Sequence, residues 1–234
     1  MLGVIALTGA WDAANAQTIP RVTLTVEAAV PQGGPGPDLE STLRAAGLAG
    51  ESFGGGFFGT GPVHHPYTDE FLGWSADLRV RVRPRLTVGF SAGRSNAGST
   101  YGHNGAFLNA LDFQADYSVT TIAPVITWHP DRRLRLGAGP ALQRATFASP
   151  QAGVDIRKNM LGWTAQAGLA FFDGRRLFSE IAARYHGMGT VGLSDVTLNG
   201  TSFMAEPAPS IVIPAMDVTF SHWSIGVTLG VKFQ

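Results

Sequence analysis

Hydrophobic and polar positions alternate with a period of two in eight separate stretches of this chain. The last stretch is the most regular. Its odd positions are apolar and its even positions are mostly glycine or short hydroxyls: Trp223, Ile225, Val227, Leu229, Val231 and Phe233 against Ser224, Gly226, Thr228, Gly230, Lys232 and Gln234. This period places the two sets on opposite faces of a β-strand. Small polar residues fit the inside of a narrow closed barrel, and an apolar row that ends in an aromatic residue fits a lipid boundary.

The same pattern predicts eight strands joined alternately by tight turns and long loops. The strands span about 21–30, 72–83, 86–93, 113–128, 134–143, 161–171, 177–186 and 223–234. Tight turns follow the second, fourth and sixth strands, and the other connections are long. We therefore predict an all-β fold, an eight-stranded antiparallel up-and-down transmembrane β-barrel with short periplasmic turns and long extracellular loops.

Two local irregularities add detail to this prediction. In the fourth strand Phe113 and Tyr117 share one phase, while Ile122 and Trp128 share the other, so we expect a bulge near 118–121. In the first long loop we expect a short helix from Asp38 as N-cap to Gly47 at its C-cap.

The main structural alternative is a soluble eight-stranded barrel of lipocalin type, in which the apolar row would point inward. Glycine in the second row could not shield such a sheet from water. The aromatic residues also recur at the ends of the apolar rows, as in the girdles of membrane barrels. The predicted girdle comprises Trp74, Trp163, Tyr185 and Trp223 at the loop end and Trp128, Phe171 and Phe233 at the turn end.

Composition narrows the functional classes. The 234 residues include 30 glycines and no cysteine, which excludes disulfides, thiolate metal sites and cysteine nucleophiles. The net charge of zero gives no reason to expect a nucleic-acid partner. An apolar run, Leu2 to Ala10, precedes the small-x-small motif Ala14-Asn15-Ala16. We therefore predict a secretory signal peptide at 1–16, without the usual basic start, and a barrel at 17–234.

The chain resembles the eight-stranded outer-membrane barrel families typified by OmpA, OmpX and OmpW. The resemblance covers about Arg21 to Gln234, and its sharpest part is the last strand, which is similar to the signal read by the barrel-assembly machinery. Phe233 is penultimate here, whereas the aromatic residue ends that signal. The resemblance implies a monomer in the bacterial outer membrane, in contact with outer-membrane lipid and lipopolysaccharide, inserted by the assembly machinery.

Charged residues collect on the inward rows: Glu27, Asp77, Arg79, Arg81, Arg135, Glu180, Arg184 and Lys232. Charges in a low-dielectric lumen must pair. Because an eight-stranded barrel is just wide enough to be filled by side chains, we expect a network that plugs the lumen. A gate or narrow polar path is the alternative, and a wide pore is not expected.

We expect no enzymatic activity, cofactor or metal. Arg94-Ser95-Asn96-Ala97 faintly resembles the residues around the serine of outer-membrane lipid A deacylases, but Gly93 stands where their histidine should be. His103 or His186 is a possible base only if the fold brings it close. The adjacent His64 and His65 lack a third metal ligand at a recognisable spacing.

The apolar residues of the long loops leave two interpretations. Those residues are Phe53, Phe57, Phe58, Phe203, Met204, Ile211, Val212 and Ile213. They pack as a cap, or they bind a host or other extracellular ligand. We expect a non-enzymatic structural or surface-recognition protein. The alternative is passive transport of small hydrophobic compounds, as in OmpW-like families, and lipid A-modifying hydrolysis ranks third.

Overall fold

Eight strands close into a ring of antiparallel pairs in the computed structural model, which describes residues 21–48, 67–70, 72–106, 109–202 and 210–233. The elements are β1 (Val22–Gly33), α1 (Pro35–Ala45), β2 (Tyr67–Glu70), β3 (Gly73–Arg83), β4 (Leu86–Ala106), β5 (Asn109–Trp128), β6 (Leu134–Ser149), β7 (Val154–Asp173), β8 (Leu177–Gly187), β9 (Thr190–Leu193), β10 (Val196–Asn199), β11 (Thr201–Ser202), β12 (Ser210–Ile213), β13 (Met216–Thr219) and β14 (His222–Phe233).

The ring runs β1, β3, β4, β5, β6, β7, β8 and β14, and β14 pairs with β1 from Val22 opposite Phe233 to Gly33 opposite His222. Every barrel strand thus lies beside its neighbours in sequence, which confirms the predicted all-β up-and-down barrel. Short turns follow β3, β5 and β7, as predicted, and define the turn end of the barrel. The opposite end, which carries the long connections, is called the outer end below. Among the described residues, no helix is both long enough and apolar enough to cross a membrane.

Outward side chains of the barrel strands are apolar over a continuous belt. On β14, for example, Ile225, Val227 and Leu229 are about half exposed or more, while Ser224 and Thr228 are buried inside. Inward positions around the ring hold hydroxyls, glycines and charged residues. The barrel therefore inverts the usual arrangement of a soluble fold, with its apolar face outside.

The predicted bulge in the fourth strand is wrong. Odd-numbered residues of β5 face inward without interruption from Leu111 to Thr127, so the phase of the strand never changes. What changes is the interior, which is apolar around Phe113 and Tyr117 and polar around Thr121 and Thr127. The shift in register lies on the neighbouring strand, between Ser95 and Gly98 of β4.

Strands β4 to β7 are longer than predicted because, toward the outer end, their inward residues become apolar and their outward residues become polar. Most of the predicted loops at about 94–110 and 149–158 is strand. Outward residues become polar along one lateral row, in which Thr120 pairs with Arg144 and Arg144 with Asn159. Below this row lie the outward Ile122, Leu142 and Leu161. Above the belt these strands follow the rule of soluble sheets, with apolar residues inside.

A hydrophobic core fills the outer end of the barrel and forms the cap, whose buried members come from α1, from the upper parts of β5 and β6, and from the connection between β8 and β14. They are Leu39, Leu43, Leu48, Leu111, Phe113, Ala115, Tyr117, Val119, Ala145, Phe147, Val191, Leu193, Leu198, Ile213, Val218 and Phe220. The first and last long connections therefore pack on one core. Of the predicted loop residues, Ile213 is buried, Ile211 is partly buried and Val212 is exposed. The phenylalanines at 53, 57, 58 and 203, and Met204, lie outside the described residues, as do residues 1–16, His64 and His65.

Helix α1 is present, but its start was predicted wrongly. The helix begins at Pro35 after Gly34, because proline is well suited to the first helical turn. Asp38 lies within that turn and is not the N-cap; its Oδ2 accepts a 2.8 Å hydrogen bond from the backbone N–H of Thr219. The predicted C-cap is one residue too late: the C-cap is Ala46, and Gly47 follows it. Gly47 adopts a φ of 85°, and the N–H of Leu48 bonds the carbonyl of Leu43 at 2.9 Å.

Candidate functional site

The lumen of the belt contains a buried network of three arginines and three carboxylates. Arg184 of β8 is at its centre: its Nη2 lies 2.8 Å from Glu27 Oε2 and 3.3 Å from Asp77 Oδ2, and its Nη1 lies 2.6 Å from Ser91 Oγ. Arg79 Nη2 donates to Asp77 Oδ2 at 2.5 Å. These contacts join β1, β3, β4 and β8 across the inside of the barrel.

Arg135 of β6 and Glu180 of β8 form a second buried ion pair in the same lumen. Room for it comes from β7, the strand between β6 and β8: a Cβ at Gly168 would lie 2.5 Å from Arg135 Nε and 2.8 Å from Glu180 Oε2. Glycine at this position therefore lets the long charged side chains fold across the strand surface. This accounts for the glycine at position 168 on the inward row of β7.

Six of the eight residues predicted for the lumen are thus brought together, namely Glu27, Asp77, Arg79, Arg135, Glu180 and Arg184, and each is less than 5% exposed. The other two lie closer to the turn end. Arg81 is partly exposed on the inward row nearer the turn end, and Lys232 forms an ion pair with Asp173 at the turn end. Because the six carry three charges of each sign, their network is neutral as a whole.

The predicted girdle residues all face outward. At the outer end Trp163 and Tyr185 lie with ring centroids 5.0 Å apart, and Tyr185 pairs with Trp223 across β8 and β14. Trp74 on β3 is also exposed. At the turn end Trp128, Phe171 and Phe233 are exposed, and Phe172 joins them because the register of β7 shifts between Ala170 and Phe172.

Above the charged network lies a buried serine–histidine pair that the sequence analysis missed. Ser95 Oγ is 2.7 Å from His222 Nε2, and His222 Nδ1 is 2.9 Å from the carbonyl oxygen of Phe220. Because a carbonyl can only accept, Nδ1 carries the proton, and Nε2 accepts from the serine hydroxyl. The ring of His186 stacks on that of His222 at 4.8 Å.

The partner of Ser95 could not be found from local spacing, since 127 residues separate it from His222. The sequence could have indicated only that both residues face inward: Ser95 continues the inward row of β4 toward the outer end, and His222 continues that of β14. Of the two histidines considered, His186 contacts His222 rather than the serine, and His103 Nδ1 lies 2.5 Å from Asp112 Oδ1 on an exposed part of β4 and β5.

A small cavity separates the network from the serine–histidine pair. Its lining includes Glu27, Ser95, Arg184 and His186, and its volume is about 20 Å³, enough for one or two water molecules. Asn96, the residue after Ser95, is fully buried with a φ of 48°, an uncommon conformation outside glycine. Within the described ranges, no group of three or more histidine or acidic side chains is placed to hold a metal ion.

No family model matches this sequence, and no curated protein does. Among solved structures, the outer membrane protein OprG of Pseudomonas aeruginosa is similar with a TM-score of 0.46 and 10% identity, over 94% of this chain and 99% of OprG. The attachment invasion locus protein Ail of Yersinia pestis gives 0.38 and 12%, over 90% and 98%. The outer membrane protein AlkL in lipid bilayers gives 0.38 and 12%, over 93% and 92%. At these values the likenesses carry no conclusion about function, and the barrel architecture stands on the strand pairing described above.

Proposed function

We propose that this chain is a monomeric outer-membrane β-barrel of a Gram-negative-type bacterium, with a sealed lumen and a structural or surface-recognition role exerted by its folded outer end. The observation that carries the proposal is the buried network around Arg184, beneath a packed apolar cap. A neutral, fully buried set of charges fills a barrel without providing a path for water or ions.

The outer surface of the barrel supports a membrane location. A continuous apolar belt would drive aggregation in water, whereas lipid covers it at no cost. Aromatic residues at both borders of this belt fit the two membrane interfaces. In such a membrane the partners follow from position: lipid and lipopolysaccharide along the belt, the barrel-assembly machinery at β14 during insertion, and an extracellular or host molecule at the outer end.

A sealed lumen predicts the absence of ion conduction. Wild-type protein in planar lipid bilayers is expected to show no stable open-channel steps, because the network and the cap block the lumen in series. The control is the Arg184→Ala, Arg79→Ala, Glu27→Ala, Asp77→Ala variant, in which the emptied lumen below the cap still ends at the cap and stays closed. Steady single-channel conductance of the wild type would contradict the proposal.

Passive transport of small hydrophobic compounds remains the alternative, and it requires that the cap or the network moves. The cap makes such movement costly, because opening the barrel from outside exposes fully buried side chains such as Leu39, Phe147 and Phe220. Uptake by proteoliposomes of an alkane or aromatic tracer, above that of protein-free vesicles, would favour transport.

One observation favours a second candidate function, ester hydrolysis. The Ser95–His222–Phe220 carbonyl order matches a nucleophile, its base and the group that orients the base. In the structure the pair faces a cavity too small for an acyl chain, so a substrate would enter only after displacement of α1 or its neighbours.

An active serine in this position would react with a fluorophosphonate probe in the folded barrel. If the pair is only structural, wild type and Ser95→Ala are expected to remain equally unlabelled. Labelling of wild type that is lost in both Ser95→Ala and His222→Ala would establish the hydrolase instead. Ser99→Ala, four residues along the same strand, is the control, since Ser99 bonds Asp116 and no histidine.

A further inference from the structure

The zero net charge of the chain conceals a strong polarity along the barrel axis. The turn end carries Arg21, Arg83, Arg85, Arg132, Arg133, Arg175 and Arg176, and its acidic residues are Asp131 and Asp173. The described residues of the outer end have the opposite balance: Arg44, Arg94, Arg144, Arg157 and Lys158 against Asp38, Glu40, Asp69, Glu70, Asp112, Asp116, Asp155, Asp195 and Asp217. The basic residues at the turn end therefore form a distinct surface.

Six of these arginines are exposed, and we call them the arginine collar: Arg21, Arg83, Arg132, Arg133, Arg175 and Arg176. They lie before β1, at the end of β3, and in the turns after β5 and β7, so they are distributed around the whole circumference of the ring.

The backbone of the collar is held by the barrel. The carbonyl oxygens of Arg21, Arg133 and Arg176 accept hydrogen bonds from neighbouring strands at 2.8, 2.8 and 2.7 Å. These arginines consequently start from fixed points at the rim, and only their side chains are free to move. A ring of guanidinium groups on a fixed backbone rim suits a ligand that is itself arranged as a surface.

The acidic residues of the turn end leave the collar largely uncompensated. Asp131 Oδ1 accepts backbone N–H bonds from Leu134 at 2.8 Å and Arg133 at 2.7 Å, which lower the pKa of this carboxyl and fix it within its turn. Asp173 is paired with Lys232. Asp131 attracts the side chain of Arg133 and so offsets part of its charge, but in the described part of the chain neither carboxylate forms a close ion pair with a collar side chain.

The collar lies directly beyond the apolar belt. Val82 precedes Arg83, Phe172 lies three residues before Arg175, and Trp128 lies four before Arg132, and all three apolar side chains are exposed on the belt. In the membrane of the proposed function, guanidinium groups at this depth meet lipid headgroups. Arginine binds phosphate oxygens through paired, charge-assisted hydrogen bonds.

We propose that the arginine collar is a binding surface for anionic phospholipid headgroups of the periplasm-facing leaflet. It selects phosphatidylglycerol-type lipids over zwitterionic ones around the turn end and fixes the depth and orientation of the barrel. This inference rests on the membrane location in the proposed function and adds the chemistry of the lipid.

The test uses the full barrel refolded into phosphatidylcholine vesicles that contain a minor fraction of spin-labelled phosphatidylglycerol or phosphatidylcholine. Wild type is expected to enrich the anionic probe in its lipid shell on the order of fivefold, with the enrichment falling as salt rises. The Arg132→Gln, Arg133→Gln, Arg175→Gln, Arg176→Gln variant is expected to lose most of this enrichment. The matched control, Arg94→Gln, Arg144→Gln, Arg157→Gln at the outer end, should keep it.

Equal enrichment in the collar variant and wild type, or its loss only in the outer-end control, would overturn the proposal. Displacement of the labelled lipid by soluble glycerol phosphate would also overturn it, because the ligand would then be a free phosphate compound. Each sample is checked for a gel mobility that changes on boiling. A wild type without that change would contradict the membrane barrel itself, whereas an inserted wild type without lipid selectivity would contradict the collar alone.

Discussion

The Arg184→Met variant is expected to lose about 3–5 kcal/mol of unfolding free energy, because removing one partner of a buried ion network leaves unpaired charges in low dielectric. Methionine keeps most of the length of arginine, so the loss reports the missing charge more than a missing volume. Glu27 and Asp77 would both lose their contacts with Arg184, and Asp77 would retain only Arg79 as an ionic partner among the described residues. The measurement is equilibrium urea unfolding in lipid vesicles, followed by tryptophan fluorescence.

Two comparisons make this prediction specific. Arg157→Met removes an exposed ion pair with Asp155 at 3.3 Å and is expected to cost about 0–1 kcal/mol. Adding Glu27→Gln to Arg184→Met should recover part of the loss, since Arg79 and Asp77 then remain as a neutral ion pair. Equal losses for Arg184→Met and Arg157→Met would show that the lumen network is hydrated and not a sealed plug.

The Val227→Arg variant tests the outer surface. Val227 lies midway along the outward row of β14 and is 49% exposed. If lipid covers this row, arginine there is expected to cost about 2–4 kcal/mol, as lipid-facing arginine does near a bilayer midplane. Urea unfolding in the same vesicles measures the cost.

The control for this variant is Thr120→Arg, an outward position on β5 just above the belt, where the expected cost is about 0–1 kcal/mol. Depth alone distinguishes the two substitutions, since both add the same side chain to an outward face. A negligible cost at Val227 would mean that water, not lipid, covers the belt.

The sequence predicted the barrel well wherever a strand keeps one composition on each face. β14 is the clearest case, because its apolar and small rows run unbroken and set the register of ring closure with β1. The prediction is wrong for β5, where the composition of each face changes along the strand. At the border of the belt its outward row changes from apolar Ile122 to polar Thr120, while its inward row changes from polar residues to apolar ones. In the sequence, this exchange looks the same as a bulge that moves the apolar residues to the other face.

The lumen network could be predicted because charged side chains that face the inside of a narrow barrel must pair with one another. The identity of each pair was not, since it depends on the stagger between strands. The Ser95–His222 contact could not be predicted either, because it also depends on how the strands are placed beside one another. Ser95, midway along β4, and His222, at the start of β14, come together only because the ring closes, and their separation of 127 residues along the chain gives no sign of it.

The collar shows a different limit of sequence reading. Its arginines are evident in the sequence, before β1, at the end of β3 and in the turns after β5 and β7, yet the net charge of zero averages them against the acidic outer end. Only the assignment of each charge to an end of the barrel separates the two groups. Overall composition therefore says little about the surface potential of a polar, elongated molecule.

The measurement that tests the inverted barrel most directly is site-directed spin labelling in lipid vesicles. The chain contains no cysteine, so each introduced cysteine gives a single label. Labels at Ile225, Val227 and Leu229 are expected to collide with oxygen and to be protected from a water-soluble nickel reagent. Labels at Asp112 and Asp116, on the outward face of β5 above the belt, should show the reverse. Free access of the nickel reagent to the β14 row would contradict the membrane barrel.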